Sequence, residues 1–334
     1  MKSVRIEGLQ AMQGQHCETV ATGTLLRALG VNLTEPMLFG LGEGLSFVFL
    51  NLEALPLPFV GGRVKPFELT TRLCRHLGVE CQAVETSSRS KAWAHLEAPL
   101  SQGKPVGLQL DCYYLDYFRS PLHFAGHFVA AYGFDEEQIL LVDTQQQGGL
   151  QQARRSSVEQ ARFAKGPMAA RARSWTLSPS PTAATDLPEA LRSAIHANAR
   201  AYLEPPFRGA SHLGIRKLAD SLPHWLALSQ APESELAQAA LMMERAGTGG
   251  ALFRNFYRDF LSEAQALLPR EQGRLERARR LFSESADAWT AVAALIDEAG
   301  VHGAPLRLGE AAGICTHIAD IEVKAMQELE RLGH

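Results

Sequence analysis

The chain has 334 residues, 46% of them hydrophobic and 21% charged, with a net charge of -3. That length suits two domains, and the near-neutral balance excludes the basic footprint of a nucleic-acid or anionic-membrane binder. Apolar runs such as 37–45 and 47–50 fall short of the roughly 20 residues that span a bilayer, and the opening Met-Lys-Ser-Val-Arg lacks a signal-type run, so a cytoplasmic protein is expected.

In chain order, Glu18–Leu29 reads as a helix closed by Gly30, and Phe67–Leu77 as a second between Pro66 and Gly78, a good start and stop. Ser88–Leu100 is a third. Strands are expected at Val79–Val84, Pro105–Cys112, Phe124–Phe134 and Ile139–Asp143, the last two forming a β-hairpin around Asp135-Glu136-Glu137. Trp175–Leu177 is expected to be a closing edge strand. Ser178–Asp186 is rich in Pro, Ser and Thr and has no periodicity, which is linker composition. Beyond it, Pro188–Leu203, Gly214–Leu228, Glu233–Ala246, Ala251–Leu268, Gly273–Ala299 and Glu310–Leu332 space apolar residues by three and four. The pattern predicts an α+β domain over residues 1–178, a linker over 179–186 and an all-α bundle over 187–334. Such helices can pair between chains as readily as within one, so a homodimer stays open.

The five cysteines, at 17, 74, 81, 112 and 315, are odd in number and contain no Cys-x-x-Cys. Disulfide frameworks and zinc sites are therefore not expected. His123 and His127, four apart on a strand, would lie about 13 Å from each other, too far to share a metal. Four of the cysteines fit small buried hydrophobes. Cys17 differs because it opens a helix, where unpaired N–H groups and the dipole favour a thiolate nucleophile. The same N–H groups, with the side-chain amide of Gln15 or Gln13, could bind an oxyanion. His127, on the strand after Gly126, can serve as base. Asp143, at the end of the next strand, falls within a residue or two of the point opposite His127 and can orient its ring. Each residue alone has a plainer reading as core or turn. The order Cys17, His127, Asp143 on helix, strand and hairpin is what points to a triad.

The run Gly40-Leu-Gly42-Glu-Gly44 lacks the Gly-Lys-Ser/Thr of a phosphate loop. A tight turn near Cys17 that lines a substrate pocket is expected instead. Asp111 and Tyr114, with Tyr113 and Tyr117, could form a polar wall for an amine acceptor. Glu35 is expected to pair with Arg27 or to cap a helix.

Gln15-His-Cys-Glu-Thr19, followed by Leu33-Thr-Glu-Pro-Met-Leu-Phe-Gly-Leu-Gly-Glu-Gly-Leu45, resembles the butirosin biosynthesis protein H family in its N-terminal domain. Gly103–Asp111, Tyr114–Tyr117, His127 and Gly133-Phe-Asp135 are similar to later parts of that domain. Gly247-Thr-Gly-Gly250 with Phe253-Arg254 and Phe260-Leu261 resembles the uncharacterised helical domain that follows it. The resemblance implies a papain-like fold in which Cys17 is nucleophile, His127 base and Asp143 orienter. Papain-like peptidases place an oxyanion Gln several residues before the Cys; here Gln10, Gln13 and Gln15 all compete. The resemblance further implies transfer of an acyl or aminoacyl group from a carrier-protein thioester to an amine in specialised metabolism. No cofactor of the protein's own is needed, because phosphopantetheine would arrive on the acyl carrier protein. Arg208, Arg216, Lys217 and Arg254 could meet that acidic partner. Two other readings use the same residues differently: a cysteine peptidase or amidase with water as acceptor, and a binding protein on the same fold without chemistry.

Overall fold

The computed structural model describes residues 3–52, 55–119, 123–180, 186–244 and 250–332. Their elements run β1 (Val4–Arg5), α1 (Cys17–Arg27), α2 (Glu35–Leu41), β2 (Leu45–Leu50), β3 (Phe59–Arg63), α3 (Glu68–His76), β4 (Val79–Val84), α4 (Arg89–Ser101), β5 (Val106–Leu110), β6 (His127–Phe134), β7 (Gln138–Val142), β8 (Leu150–Arg154), α5 (Arg155–Arg162) and β9 (Ser174–Pro179). Helices follow: α6 (Leu187–Leu203), α7 (Ser211–Ser221), α8 (Trp225–Leu228), α9 (Pro232–Glu244), α10 (Ala251–Leu267), α11 (Gln272–His302) and α12 (Pro305–Glu330). The class is α+β. The chain forms two compact units, Met1–Leu38 with Pro66–Thr185, and Phe39–Lys65 with Asp186–His334.

The first unit is built on a seven-stranded antiparallel sheet in the order β4-β9-β5-β6-β7-β8, with β1 also on β6. Every residue of β6 is buried, so it reads as a continuous apolar run rather than an alternating one. α1 packs on β6 and is buried over Glu18–Leu26. Its polar side chains are satisfied inside: Thr24 Oγ1 donates to the Val20 carbonyl at 2.8 Å and accepts from the Met12 N–H at 3.0 Å. The β6–β7 hairpin pairs Phe134 with Ile139 and Ala130 with Val142. Its turn is held by Asp135 Oδ1, which accepts the N–H groups of Glu137 and Gln138 at 2.8 Å each.

β9 is not an edge strand. It lies between β4 and β5, with Trp175 opposite Gly107. A Cβ on Gly107 would fall 2.0 Å from the Trp175 ring, so the missing side chain is what admits the indole. The edge is β4. Because β9 runs to Pro179, the first residues of the expected linker are strand; residues 181–185 lie outside the described ones.

In the second unit α11 and α12 pack together. Gly303, at φ 59°, ends α11, and Pro305 opens α12. The sequence pattern alone assigns residues 39–65 to the first domain, and the structure does not. They belong to this unit, because the β2–β3 hairpin buries its apolar face among helices. Phe47 stacks on Trp289 at 5.5 Å, the Phe49 N–H donates to the Gly209 carbonyl at 2.8 Å, and Asn198 Nδ2 donates to the Leu45 carbonyl at 2.8 Å. Arg254 is fully buried and so cannot meet a carrier protein. Its Nε and Nη2 donate to Glu322 at 2.8 and 3.0 Å, and its Nη1 reaches the Gly62 carbonyl at 3.4 Å. Glu322 also accepts from the hydroxyls of Tyr202 and Ser285. Residues 247–249 of the Gly-rich motif are outside the described residues. No described helix is long and apolar enough to cross a membrane.

Candidate functional site

Cys17 is the first residue of α1 and is half-buried. At that position its N–H has no acceptor within the helix. His127 is the first residue of β6, paired with Leu110 of β5. Asp143 immediately follows β7, and its N–H donates to the Gly149 carbonyl at 2.8 Å. The fold brings these three residues together. His127 Nε2 lies 2.8 Å from Asp143 Oδ2, and His127 is in hydrogen-bond and charge contact with Cys17. With Nε2 taken by the carboxylate, Nδ1 is the ring nitrogen left for the sulfur. His127 and Asp143 are 5% and 1% exposed.

Burial by itself would pull the His127 pKa down, but the Asp143 carboxylate and the Cys17 sulfur hold it well above the ordinary histidine value. Burial would push Asp143 up. The charge and hydrogen bond of His127, with the Thr144 N–H at 2.6 Å and the Tyr117 hydroxyl at 2.8 Å, hold it below the usual carboxylate range instead. Tyr117, raised well above its ordinary pKa by burial and by Asp143, stays a donor. Tyr117 therefore orients the carboxylate that orients the histidine. The Phe118 ring meets the His127 ring edge-on at 5.2 Å. The sequence offers Tyr117 only for an acceptor wall; its meeting with Asp143 across 26 residues has no local signal.

The turn before Cys17 is built around Glu35. Its carboxylate accepts the Gln15 N–H at 2.9 and 3.1 Å, the His16 N–H at 2.8 Å and the Thr19 hydroxyl at 2.8 Å. Burial pushes the Glu35 pKa up against those hydrogen bonds. A Cβ on Gly14 would sit 2.7 Å from Glu35 Oε1, so a larger residue there would displace the carboxylate. Glu35 is thus not paired with Arg27, whose Nη1 donates to the Ala11 carbonyl at 2.9 Å. Glu18, beside the nucleophile, is buried and accepts both the N–H and the hydroxyl of Thr70 at 3.0 Å, which ties α1 to α3.

The other expected site residues are distributed differently. The Gln15 side chain is exposed, and its backbone N–H is committed to Glu35. Gln13 is exposed as well, its Oε1 accepting from Gln145 Nε2 at 3.2 Å. Gly40, Gly42 and Gly44 are buried and belong to the second unit. A Cβ on Gly40 would lie 2.1 Å from the Phe260 ring and one on Gly44 2.6 Å from the Phe39 ring, so packed aromatics occupy the space expected for a pocket. Asp111 is fully buried and already occupied: Oδ1 accepts the N–H groups of Tyr113 and Phe124 at 3.1 and 2.9 Å, and Oδ2 meets His123 Nδ1 at 2.8 Å. It cannot wall an acceptor site. Tyr114 does line a cavity, with His123. Of the remaining cysteines, Cys74, Cys112 and Cys315 are buried, whereas Cys81 is half-buried and hydrogen-bonded to Cys74. Among the described residues, no cluster of three or more His, Cys, Asp or Glu side chains is placed to hold a metal.

A family model described as butirosin biosynthesis protein H, N-terminal, matches residues 16–144. A second, described as a domain of unknown function (DUF4872), matches residues 156–329. A solved structure described as a C39-like peptidase from Bacillus anthracis is similar at 15% identity and a TM-score of 0.37, over 54% of this chain and 100% of that one. No curated protein matches. The N-terminal family match and the geometry around Cys17 together support a cysteine enzyme. With the second match covering more than half of its length, the chain belongs to the DUF4872 family, and its residues 16–144 match the butirosin biosynthesis protein H N-terminal model.

Proposed function

We propose that this protein is a cysteine acyltransferase that takes an acyl or aminoacyl group from a thioester and passes it to an amine. The observation that carries the reading is His127, with Nε2 held by Asp143 and its other nitrogen left for Cys17 at the start of α1. In this mechanism His127 takes the thiol proton, and the thiolate attacks the thioester carbonyl. The donor thiolate leaves with the proton from the imidazolium. The neutral ring next accepts a proton from the incoming amine as its nitrogen attacks the acyl-enzyme. Cys17 leaves as thiolate, an amide has formed, and the ion pair is restored. The oxyanion in each half falls to the Cys17 N–H at the helix start, because Glu35 occupies the neighbouring amides of residues 15 and 16. The donor in this proposal is an acyl carrier protein or another thioester. Transfer rather than hydrolysis needs a dry acyl-enzyme, and the burial of His127 and Asp143 favours that.

The test is alkylation of Cys17 by iodoacetamide against pH, mapped by peptide mass, in the intact protein and in His127→Ala, followed by incubation with acyl thioesters with and without an amine. Rapid labelling below about pH 7 that the variant loses is expected. An amide formed only when the amine is present completes the expected result. Labelling that follows an ordinary thiol near ~8.5 and ignores the variant would sink the proposal. Acid release at the same rate without amine would make the protein a hydrolase.

A further inference from the structure

A second polar site lies in the first unit, between α4 and α5. Two cavities there, of 510 and 250 Å³, share Arg89 and Phe163 in their walls. Lys165 lines the wider one, and Arg155 and Arg162 the more enclosed one. Glu159 is the one carboxylate among the described residues lining either, and it is already paired with Arg89 at 3.0 Å. Three guanidiniums, Arg89, Arg155 and Arg162, therefore meet one carboxylate around the more enclosed cavity, and Arg89 and Lys165 line the wider one without any.

Arg162 is the least explained of them. It is 4% exposed, and it staples the cleft through Nη1 on the Ala92 carbonyl at 3.0 Å and Nη2 on the Ala172 carbonyl at 3.3 Å. Its Nε–H is buried without an acceptor among the described residues. Burial pulls its pKa down to about 10, so it remains a cation at neutral pH. A buried charge compensated by carbonyl oxygens and by a carboxylate already paired with Arg89 is costly, and an anion entering beside it relieves that cost. The other guanidiniums are held flat: Arg155 lies 3.6 Å over the Trp93 ring and Arg89 5.1 Å over Phe163. Planar, oriented guanidinium groups match the oxygens of a phosphate better than a point charge does. Several such groups around one space suit a dianion better than a single carboxylate.

We propose that the α4–α5 cleft binds a phosphate ester. The cleft is joined to the strand end that carries the reactive residues. The Asp111 N–H donates to the Ala161 carbonyl at 2.9 Å, the Ser157 hydroxyl donates to the Tyr114 carbonyl, and His123 in the cavity wall is held by Asp111. Cys112, the next residue, is in the electrostatic field of His127 and Cys17. If the acyl-transfer reading holds, the phosphate of the donor's pantetheine arm is the natural occupant, and the cleft fixes the arm so that its thioester reaches Cys17.

Calorimetric titration of the full chain with 4′-phosphopantetheine, pantetheine and adenosine 3′,5′-bisphosphate tests this without turnover. Pantetheine should bind at least about tenfold more weakly than its phosphate ester, and Arg155→Gln with Lys165→Gln should weaken the ester by at least as much, with a strong salt dependence. Those two positions are chosen because Arg162 also holds the fold together. Binding of adenosine 3′,5′-bisphosphate as tight as that of phosphopantetheine would assign the site to free phosphate esters, and binding of phosphopantetheine alone to the donor arm. Equal binding of pantetheine and its phosphate, or a double variant that binds as the parent does, would overturn the proposal. An unreactive Cys17 would leave it standing, and an empty cleft would leave the cysteine chemistry standing.

Discussion

At His127 burial and charge act in opposite directions, and the charge wins. A histidine whose folded pKa lies above its unfolded value of about 6.5 stabilises the fold fully below that pH, and the contribution fades as pH rises through the folded value. Asp143 works in reverse. Its depressed pKa adds stability above an unfolded value of about 3.9, and that is lost as pH falls through the folded one. Both contributions are complete only between about pH 4 and 6.5, so the coupled pair favours mildly acidic conditions. An NMR titration of the His127 ring should give a midpoint well above 6.5 in the intact protein. Asp143→Asn and Cys17→Ala should each lower it, because each removes one of the groups that raise the His127 pKa. A midpoint at or below 6.5 in the intact protein would remove the ion pair from the mechanism. Cys17, His127 and Asp143 were legible in the sequence because helix start, strand and hairpin end are local features. Tyr117 and Glu35 were not, since their partners lie 26 and 16–20 residues away and are chosen by the sheet and by the loop before α1.

At the scale of elements, hydrophobic period located most of the helices and the central strands. The mistakes share a cause. β9 was expected at an edge because its burial on both sides depends on Gly107 in another strand. The β2–β3 hairpin was missed because its register is set by contacts with helices more than 140 residues later, such as the Asn198 bond to Leu45. Arg254 and Glu322 are the most exacting of those contacts. Both side chains are completely buried, and Arg254 also reaches the hairpin at Gly62. Burial favours a neutral Glu322, but the guanidinium keeps its pKa below the ordinary range. Glu322→Ala, which strands the cation, should lower unfolding stability by about 3–5 kcal/mol in chemical denaturation. Replacing both partners with Met and Leu should recover much of it. Equal losses in the single and double variants would mean that the pair is not coupled.

For the whole molecule, the matched families and the compact units do not share boundaries. The segment 16–144 contains β2 and β3, which belong to the helical unit, and the segment 156–329 begins inside α5 and contains β9, which belongs to the sheet. Neither segment holds a complete core. A chain cut after residue 144 would lose β9 from between β4 and β5 and would leave Phe47 and Phe49 without helices to cover them. Such a fragment should aggregate or be digested throughout in limited proteolysis, and a fragment starting at 156 should behave likewise. A protease-resistant, monomeric 1–144 fragment would contradict that interdependence.

The sequence by itself determined the α+β class, the helical character beyond Ser178 and the three residues of the candidate triad, because these rest on short-range patterns: hydrophobic period, helix start and stop residues, and chain order. Tertiary structure alone decided which unit owns residues 39–65, that Gly40 and Gly44 pack against rings, that Asp111 is spent on its neighbours, and that Glu35 and Tyr117 hold the site. Each of those depends on which distant groups share a dry interior, where a polar group must find its partner and a glycine its neighbour across many residues of chain.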